Sequence, residues 1–295
     1  TEKERIDQMR SWIKNHRKTG KEEGVNKIPV MPKHLTLFQL YDSYKALEYT
    51  QDLCLPIGLN EDVEIISLNL EKNQHQLITG SYGLGKTNML KAMLLTLVTQ
   101  YTPEEVSVYI ADNEYGDLYA YQDLPHVAMY CSSLENQMNE MIDALEQETQ
   151  NRKQRIIERR ENKEAVQEKY IVILIENIME LVEQDDDLQT QFFENLLKER
   201  NLGIGLWVGG PAEEISSEYH TLVQALKKLQ QGIYFGDLFE QSIFNVRTRY
   251  SQQYTNQPGE GYQITKGQYA LVKTPYVSDK DLEKQIKEVT TKWNQ

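Results

Sequence analysis

Cysteine is scarce here: Cys54 and Cys131 are the only two in 295 residues. They lie far apart without metal-ligand spacing, which leaves no disulfide framework and no cysteine zinc site, and points to packed thiols in a reducing compartment. Long apolar runs are missing too. Nothing approaches the roughly 18 residues that a membrane-crossing helix needs, and the charged, polar start from Thr1 to Lys21 gives no expectation of a secretory leader. Positive charge is short, with 32 Lys and Arg against 45 Asp and Glu and a net charge of -13. Over most of such a surface phosphates are repelled, and no Lys/Arg cluster with interleaved aromatics stands out, so DNA is not expected as a partner. Internal repeats and low-complexity tracts are also lacking. The remainder, 39% hydrophobic and 26% charged, is ordinary for a globular chain long enough for one large α/β domain with additions, or two small ones.

What the chain does contain is Gly80-Ser81-Tyr82-Gly83-Leu84-Gly85-Lys86-Thr87, which fits the phosphate-loop spacing G-x-x-x-x-G-K-[ST]. Gln76 to Thr79 before it reads as the end of a buried strand, and Asn88 to Val98 after it as a helix. A strand that turns through glycines into a helix presents backbone N–H groups at a positive dipole end, where a phosphate is favoured. Lys86 is expected to reach the β- and γ-phosphates and the Thr87 hydroxyl to ligate Mg²⁺, so ATP and Mg²⁺ are the expected ligands. A glycine turn that binds nothing is the rival reading, but such a turn does not need Lys-Thr directly after its last glycine.

Taken in order, Thr1 to Thr19 carries Ile6, Met9, Trp12 and Ile13 at helical spacing before a break at Gly20 to Asn26. Residues 1–27 are expected to be a helix and linker from an upstream domain, with a helix native to the fold as the alternative, and residues 28–295 the main domain. Thr36 to Tyr41 opens a short helix; Leu53 to Leu59 and Val63 to Leu70 alternate as strands. Further strands are expected at Val106 to Ala111, Val127 to Tyr130, Tyr170 to Ile175, Gly203 to Val208 and Gly232 to Phe235, the last of the sheet. Helices are expected at Ser133 to Asn162, Phe192 to Glu199 and Tyr219 to Leu229. This alternation predicts an α/β fold, a mostly parallel sheet with helices on both faces. After it, Gln257 to Tyr276 reads as a β-hairpin and Ser278 to Lys292 as a closing helix.

Several stretches together resemble the FtsK/SpoIIIE branch of hexameric P-loop ATPases. Beside the phosphate loop these are the strand ending in Asp112 with Gly116, Leu118 and Leu124-Pro125-His126-Val127; the long helix with Glu148 and Arg152; and Arg200 before Gly203-Ile204. Gly232-Ile233-Tyr234-Phe235-Gly236-Asp237, Gln241-Ser242-Ile243-Phe244 and Pro258-Gly259-Glu260-Gly261-Tyr262 are similar to the ATPase domains of type VII secretion coupling proteins, most of all the last tandem domain of the EssC type. The resemblance runs roughly from Ile28 to Val277. It implies a RecA-like P-loop NTPase fold and a hexamer joined to upstream ATPase domains of the same polypeptide. It further implies work at the cytoplasmic face of the bacterial membrane, without insertion by this fragment, on secreted protein substrates.

The family places two acids after the apolar run of a central strand, one for the Mg²⁺ shell and one to activate water. Here the run ends in Glu176-Asn177, which puts Glu176 at the metal position and Asn177 at that of the base. A register shifted by one would leave Ile175 where the metal ligand belongs. Either way one acid is missing, and loss of a positioned base costs about 10²- to 10⁴-fold in rate. Slow or undetectable hydrolysis with retained binding is therefore expected; the alternatives are a neighbouring group that supplies the acid, an active protein-translocation motor, a DNA translocase, or a module whose loop is vestigial. Gly209-Gly210 departs from the polar residues that usually sense the γ-phosphate. Arg247 and Arg249 are candidate trans-acting fingers, with plain surface charges as the alternative. His126 is expected to be structural, Asp185-Asp186-Asp187 a solvated loop, and Asn151-Arg152-Lys153 with Arg159-Arg160 a solvated face. Tyr115, Tyr119 and Tyr121 are either a stacking surface near the nucleotide or ordinary packing.

Overall fold

A computed structural model describes residues 31–45, 53–132, 135–162, 168–184, 186–249 and 254–293. The expected helix and linker within 1–27 lie outside these residues, as does Asp185. Ten strands form a single sheet: β1 (Cys54–Leu59), β2 (Ile65–Asn69), β3 (Gln76–Gly80), β4 (Val106–Ala111), β5 (Val127–Cys131), β6 (Tyr170–Ile175), β7 (Ile204–Pro211), β8 (Gln231–Phe235), β9 (Glu260–Thr265) and β10 (Gln268–Lys273). Their spatial order is β2-β1-β10-β9-β8-β3-β7-β6-β4-β5. From β8 to β5 neighbouring strands pair parallel; from β8 outward to β2 they pair antiparallel.

Strand β8 is therefore not the edge that the sequence suggested. The hairpin β9–β10 pairs onto it, and β1–β2 pairs onto the hairpin. Lys266 and Gly267 both have positive φ, 50° and 84°, the backbone of a tight two-residue hairpin turn.

Helices α1 (Leu37–Lys45), α2 (Lys86–Gln100), α3 (Glu135–Asn162), α4 (Ile178–Glu183), α5 (Asp187–Lys198), α6 (Ala212–Ser217), α7 (Thr221–Lys228) and α8 (Asp279–Trp293) cover both faces. Strand β6 shows why. Ile171, Ile173 and Ile175 enter one core with Met141, Leu145 and Phe193, while Tyr170, Val172 and Leu174 enter the other with Met89, Met93 and Trp207. A strand with a two-residue period can only be apolar throughout if both faces are covered. Helix α2 is buried from Met89 to Val98 apart from Lys91, as expected of an apolar helix with little polar face.

Three corrections are local. The helices α4 and α6, six residues each, are additional to those expected. Helix α5 begins five residues before Phe192 because Asp186 caps it, accepting from the N–H groups of Leu188 and Gln189. Arg152 is not on a solvated face; it is 2% exposed. Its guanidinium donates to the carbonyls of Leu202 (2.7 Å), Gly203 (3.0 Å) and Lys169 (2.6 Å) and to Glu148 Oε1 (2.8 Å). It thereby ties the segments that enter β6 and β7 to α3, and the planar fork of donors suits this divergent set of acceptors better than a lysine would.

Candidate functional site

The C-terminal ends of β3, β4, β6 and β7 come together, the place where open parallel sheets hold ligands. The chain leaves β3 at Gly80, where φ is 154° and a Cβ would lie 2.1 Å from the Phe235 carbonyl oxygen. No side chain fits there, and Ser81 N–H closes the turn by donating to the same carbonyl (3.0 Å). The loop then runs to Gly85 and into α2. Gly259 N–H donates to Leu84 O (2.9 Å). Asn88 Nδ2 donates to Pro275 O (2.8 Å), and Asn88 Oδ1 accepts from Val277 N–H (2.9 Å). The far hairpin thus braces the loop from behind.

Lys86 points back along the loop. Its Nζ donates to Ser81 O (3.1 Å) and lies 5.1 Å from the centre of the Tyr82 ring. Burial lowers its pKa, and the charges of Glu213, Glu176 and Glu214 oppose that shift. Tyr82 is exposed and donates to Glu214 Oε1 (2.7 Å).

Across the cleft, Thr87 Oγ1 donates to Glu176 Oε1 and Asn113 Nδ2 to Glu176 Oε2, both at 2.7 Å. Glu176 is 7% exposed, and burial raises its pKa although both of these bonds favour the carboxylate. Asn113 also donates to Asp117 Oδ2 (2.8 Å), and the other oxygen of that carboxylate, Oδ1, lies 3.6 Å from Lys91 Nζ. Asp112 holds the turn beneath, accepting from Asn113 N–H, Leu118 N–H and the Tyr130 hydroxyl; burial raises its pKa. Ile175 packs into the core, so Glu176 is the acid that meets the loop.

Asn177 caps α4. Its Oδ1 accepts from Met179 N–H (3.2 Å) and its Nδ2 donates to Glu180 Oε1 (3.3 Å). Gly209, beside this tip, has no room for a sensing side chain, since a Cβ there would stand 2.1 Å from the Glu176 carbonyl oxygen; at Gly210 a Cβ would stand 2.8 Å from Ile215 Cδ1, the movable end of a side chain.

These parts line a cleft of about 630 Å³ with Lys86, Thr87, Asn113, Glu176, Asn177 and Glu180 on its walls, within the size of small-molecule sites. Tyr82, Gly83, Gly85 and Asn88 line it as well. Gly80, Ser81 and Leu84 shape the loop from behind. Arg247 is exposed after β8 and is not among the lining residues. The three tyrosines separate: Tyr115 stands at the mouth of the cleft, Tyr119 lies edge-on to Tyr130, and Tyr121 is buried with its hydroxyl on Lys91 O. His126 is buried, 2.8 Å from Tyr101 O and edge-on to Trp293.

Sequence reasoning missed Asn113, Asp117 and Glu180. Only Glu180 had a signal, since Asn177-Ile178-Met179-Glu180 has the spacing of a helix cap and its third-position acid. The donor set fits a magnesium nucleotide: backbone N–H groups and an ammonium for phosphates, a hydroxyl and a carboxylate for the cation.

Comparison with known proteins bears on this set. A sequence model of the FtsK/SpoIIIE family matches residues 37–184. The ESX secretion system protein EccC of Geobacillus thermodenitrificans is 26% identical over 253 residues, 85% of this chain but 17% of that protein. Among solved structures, the cytoplasmic domain of EssC superposes with a TM-score of 0.74 at 25% identity, over 85% of this chain and 49% of that one. Thermomonospora curvata EccC (ATPases 2 and 3) in complex with a signal sequence peptide gives a TM-score of 0.68 at 17% identity, over 84% of this chain and 44% of that one. The fold is the α/β RecA-like fold of P-loop ATPase domains.

Proposed function

Because the chain belongs to the FtsK/SpoIIIE family, and within it is EssC/EccC-like in sequence and structure, we propose that it binds ATP with Mg²⁺ as one ATPase domain of a type VII secretion coupling protein and hydrolyses it slowly. The observation that carries this reading is the 2.7 Å contact between Thr87 and Glu176 at the foot of the phosphate loop. It is the pair that would hold the cation, already side by side. Magnesium, when bound, neutralises charge that builds on the β- and γ-phosphates during transfer.

The loop's own residues divide the work. Backbone N–H groups at the start of α2 favour the phosphates, and Lys86 leaves Ser81 O and the Tyr82 ring to meet them. Asn113 keeps Glu176 turned toward Thr87. Asn177 accepts no proton, and its oxygen is committed to Met179 N–H; this supports slow turnover and a largely structural or regulatory use of the nucleotide.

The wider setting follows the relatives. A signal sequence peptide sits on the Thermomonospora curvata protein, which supports secreted proteins as the partners here. A hexamer, upstream ATPase domains and a place at the cytoplasmic face of the bacterial membrane belong to the same proposal. Among the described residues no helix is long and apolar enough to cross a membrane.

Thermal unfolding with and without Mg·ATP tests it. A ligand at 100 times its dissociation constant adds about 2.7 kcal/mol, and that gain should vanish in Lys86→Ala. No shift in the wild type at saturating ATP overturns the nucleotide reading; brisk turnover overturns the slow-hydrolysis part.

A further inference from the structure

The acid missing at position 177 has a neighbour. Glu180 lines the same cleft as Lys86 and Thr87. Its Oε1 accepts from Asn177 Nδ2 (3.3 Å), just beyond β6, and its Oε2 accepts from Glu114 N–H (3.2 Å), just beyond the adjacent strand β4. A carboxylate therefore stands one hydrogen bond beyond the tip of the side chain that occupies the base position. The orientation of the Asn177 amide is fixed, because its oxygen takes Met179 N–H and only its NH₂ remains to face Glu180.

Glu180 is also the third residue of α4, where acids commonly cap. In a capping box that acid reaches back to the backbone N–H of the cap residue. Glu180 instead bonds the Asn177 side chain and the Glu114 backbone N–H beyond the adjacent strand β4, contacts that a helix start does not require. The identity of residue 177 makes sense on the same grounds. A carboxylate there would face Glu180 as a like charge at short range, whereas an amide is neutral and donates to it.

We propose that Glu180 accepts the proton of the attacking water in ATP hydrolysis, and that Asn177 is the positioning residue that holds it. This rests on the nucleotide reading given above, and a base set one hydrogen bond beyond position 177 gives turnover that is slow and not absent. The water oxygen forms a bond to the γ-phosphorus while the bond from that phosphorus to the bridging oxygen breaks. The electron pair leaves on the β-phosphate of ADP, the water proton passes to the Glu180 carboxylate and then to solvent, and phosphate is released. Burial is the first cause of a raised pKa at Glu180, and the charges of Glu114 and Asp112 add to it while its two hydrogen bonds oppose. A raised pKa makes a carboxylate a better proton acceptor at neutral pH.

Two readouts on the full chain separate this role from a merely structural one. In single turnover with protein in excess over Mg·ATP, Glu180→Gln should slow phosphate release by about 10²-fold or more, while ATP still raises the melting temperature. In binding measurements, the loss of a negative charge beside the γ-phosphate should raise ATP affinity several-fold relative to ADP; loss of a helix-start contact would move both alike. Glu180→Asp, which keeps the charge on a shorter arm, should fall between wild type and Gln in both. Turnover in Glu180→Gln equal to wild type overturns the proposal, as does an unchanged ratio of ATP to ADP affinity. A wild type that binds ATP and releases no phosphate also overturns it and leaves the nucleotide reading standing. A chain that ATP does not stabilise takes both down.

Discussion

The two walls of the cleft are built on different principles. The loop wall, from Gly80 to Asn88, is made mostly of backbone: Ser81 N–H on Phe235 O and Gly259 N–H on Leu84 O, with the Asn88 side-chain amide held by Pro275 and Val277. The strand-tip wall, from Asp112 to Asp117 and from Glu176 to Glu180, is made of side chains: Thr87 to Glu176, Asn113 to Glu176 and Asp117, Asn177 to Glu180. Backbone geometry holds a phosphate through many small contributions, so it survives changes around it. Cleavage depends on single atoms in single places, so under the proposed function an amide in place of an acid at 177 is enough to slow it. Binding and turnover can therefore come apart within one domain.

Acid should pull hardest on this contrast. At the foot of β3, buried His75 accepts from Leu206 N–H (3.2 Å) and its other ring nitrogen lies 2.8 Å from Gln74 Nε2. Burial lowers its pKa from 6.5 to about 4, against a smaller opposing effect of the Glu199 backbone. The unfolded chain then takes up a proton that the folded one refuses, so this contribution is complete above pH 6.5 and is lost as pH falls through about 4. The loss comes to about 3 kcal/mol at 1.36 kcal/mol per pKa unit. Asp112, in the strand-tip wall, has the opposite sign: its folded pKa is raised by burial, so its burial destabilises above the carboxylate range and is relieved on acidification. Denaturant titrations between pH 4 and pH 8 should find the acid slope flattened in His75→Gln and steepened in Asp112→Asn, which loses the group whose protonation offsets it. An acid slope equal in His75→Gln and wild type breaks this half of the comparison.

The same division decides what could be read from sequence. The loop wall was legible because backbone conformations that need glycine leave a fixed spacing in the chain. Strands β4 and β6 were legible to the residue, since a short apolar run covered on both faces admits little else. Helices α4 and α6 were not, because six residues are too few to show a helical period. The burial of Arg152 hangs on carbonyls at Lys169, Leu202 and Gly203, which no local pattern reveals, and the pairing of β10 with β1 is equally distant in sequence. Gly209 and Gly210 were read as a missing sensor. The close approach of the Glu176 carbonyl to Gly209 gives its small size a packing reason that composition could not supply.

A smaller effect tests whether Asn177 belongs to structure or to chemistry. Asn177→Ala removes the cap on α4, for which about 1 kcal/mol of stability is typical, and it also frees Glu180 from its donor. Urea unfolding measures the first and phosphate release the second. Asn177→Ser restores a cap but not the longer amide donor that meets Glu180, so stability should return while turnover stays changed. Recovery of both together in Asn177→Ser would mean that the amide has no part in positioning Glu180.

The smallest change belongs to the loop wall, at its exposed tip, where the Tyr82 side chain latches it to α6. Tyr82 donates to Glu214 Oε1 (2.7 Å) while Lys86 lies over its ring; both contacts describe a loop whose lysine is occupied by its own surroundings. ATP binding has to draw Lys86 away from that ring. Tyr82→Phe keeps the ring and deletes the hydroxyl, so ATP affinity should rise by no more than about twofold, since exposed polar contacts contribute little. Tyr82→Leu deletes the ring as well, and affinity should rise further because Lys86 then has less to leave. Calorimetric titration with a non-hydrolysed ATP analogue orders the two variants. A fall in affinity in both would show that Tyr82 holds the nucleotide and does not restrain Lys86, and the loop wall would then depend on a side chain after all.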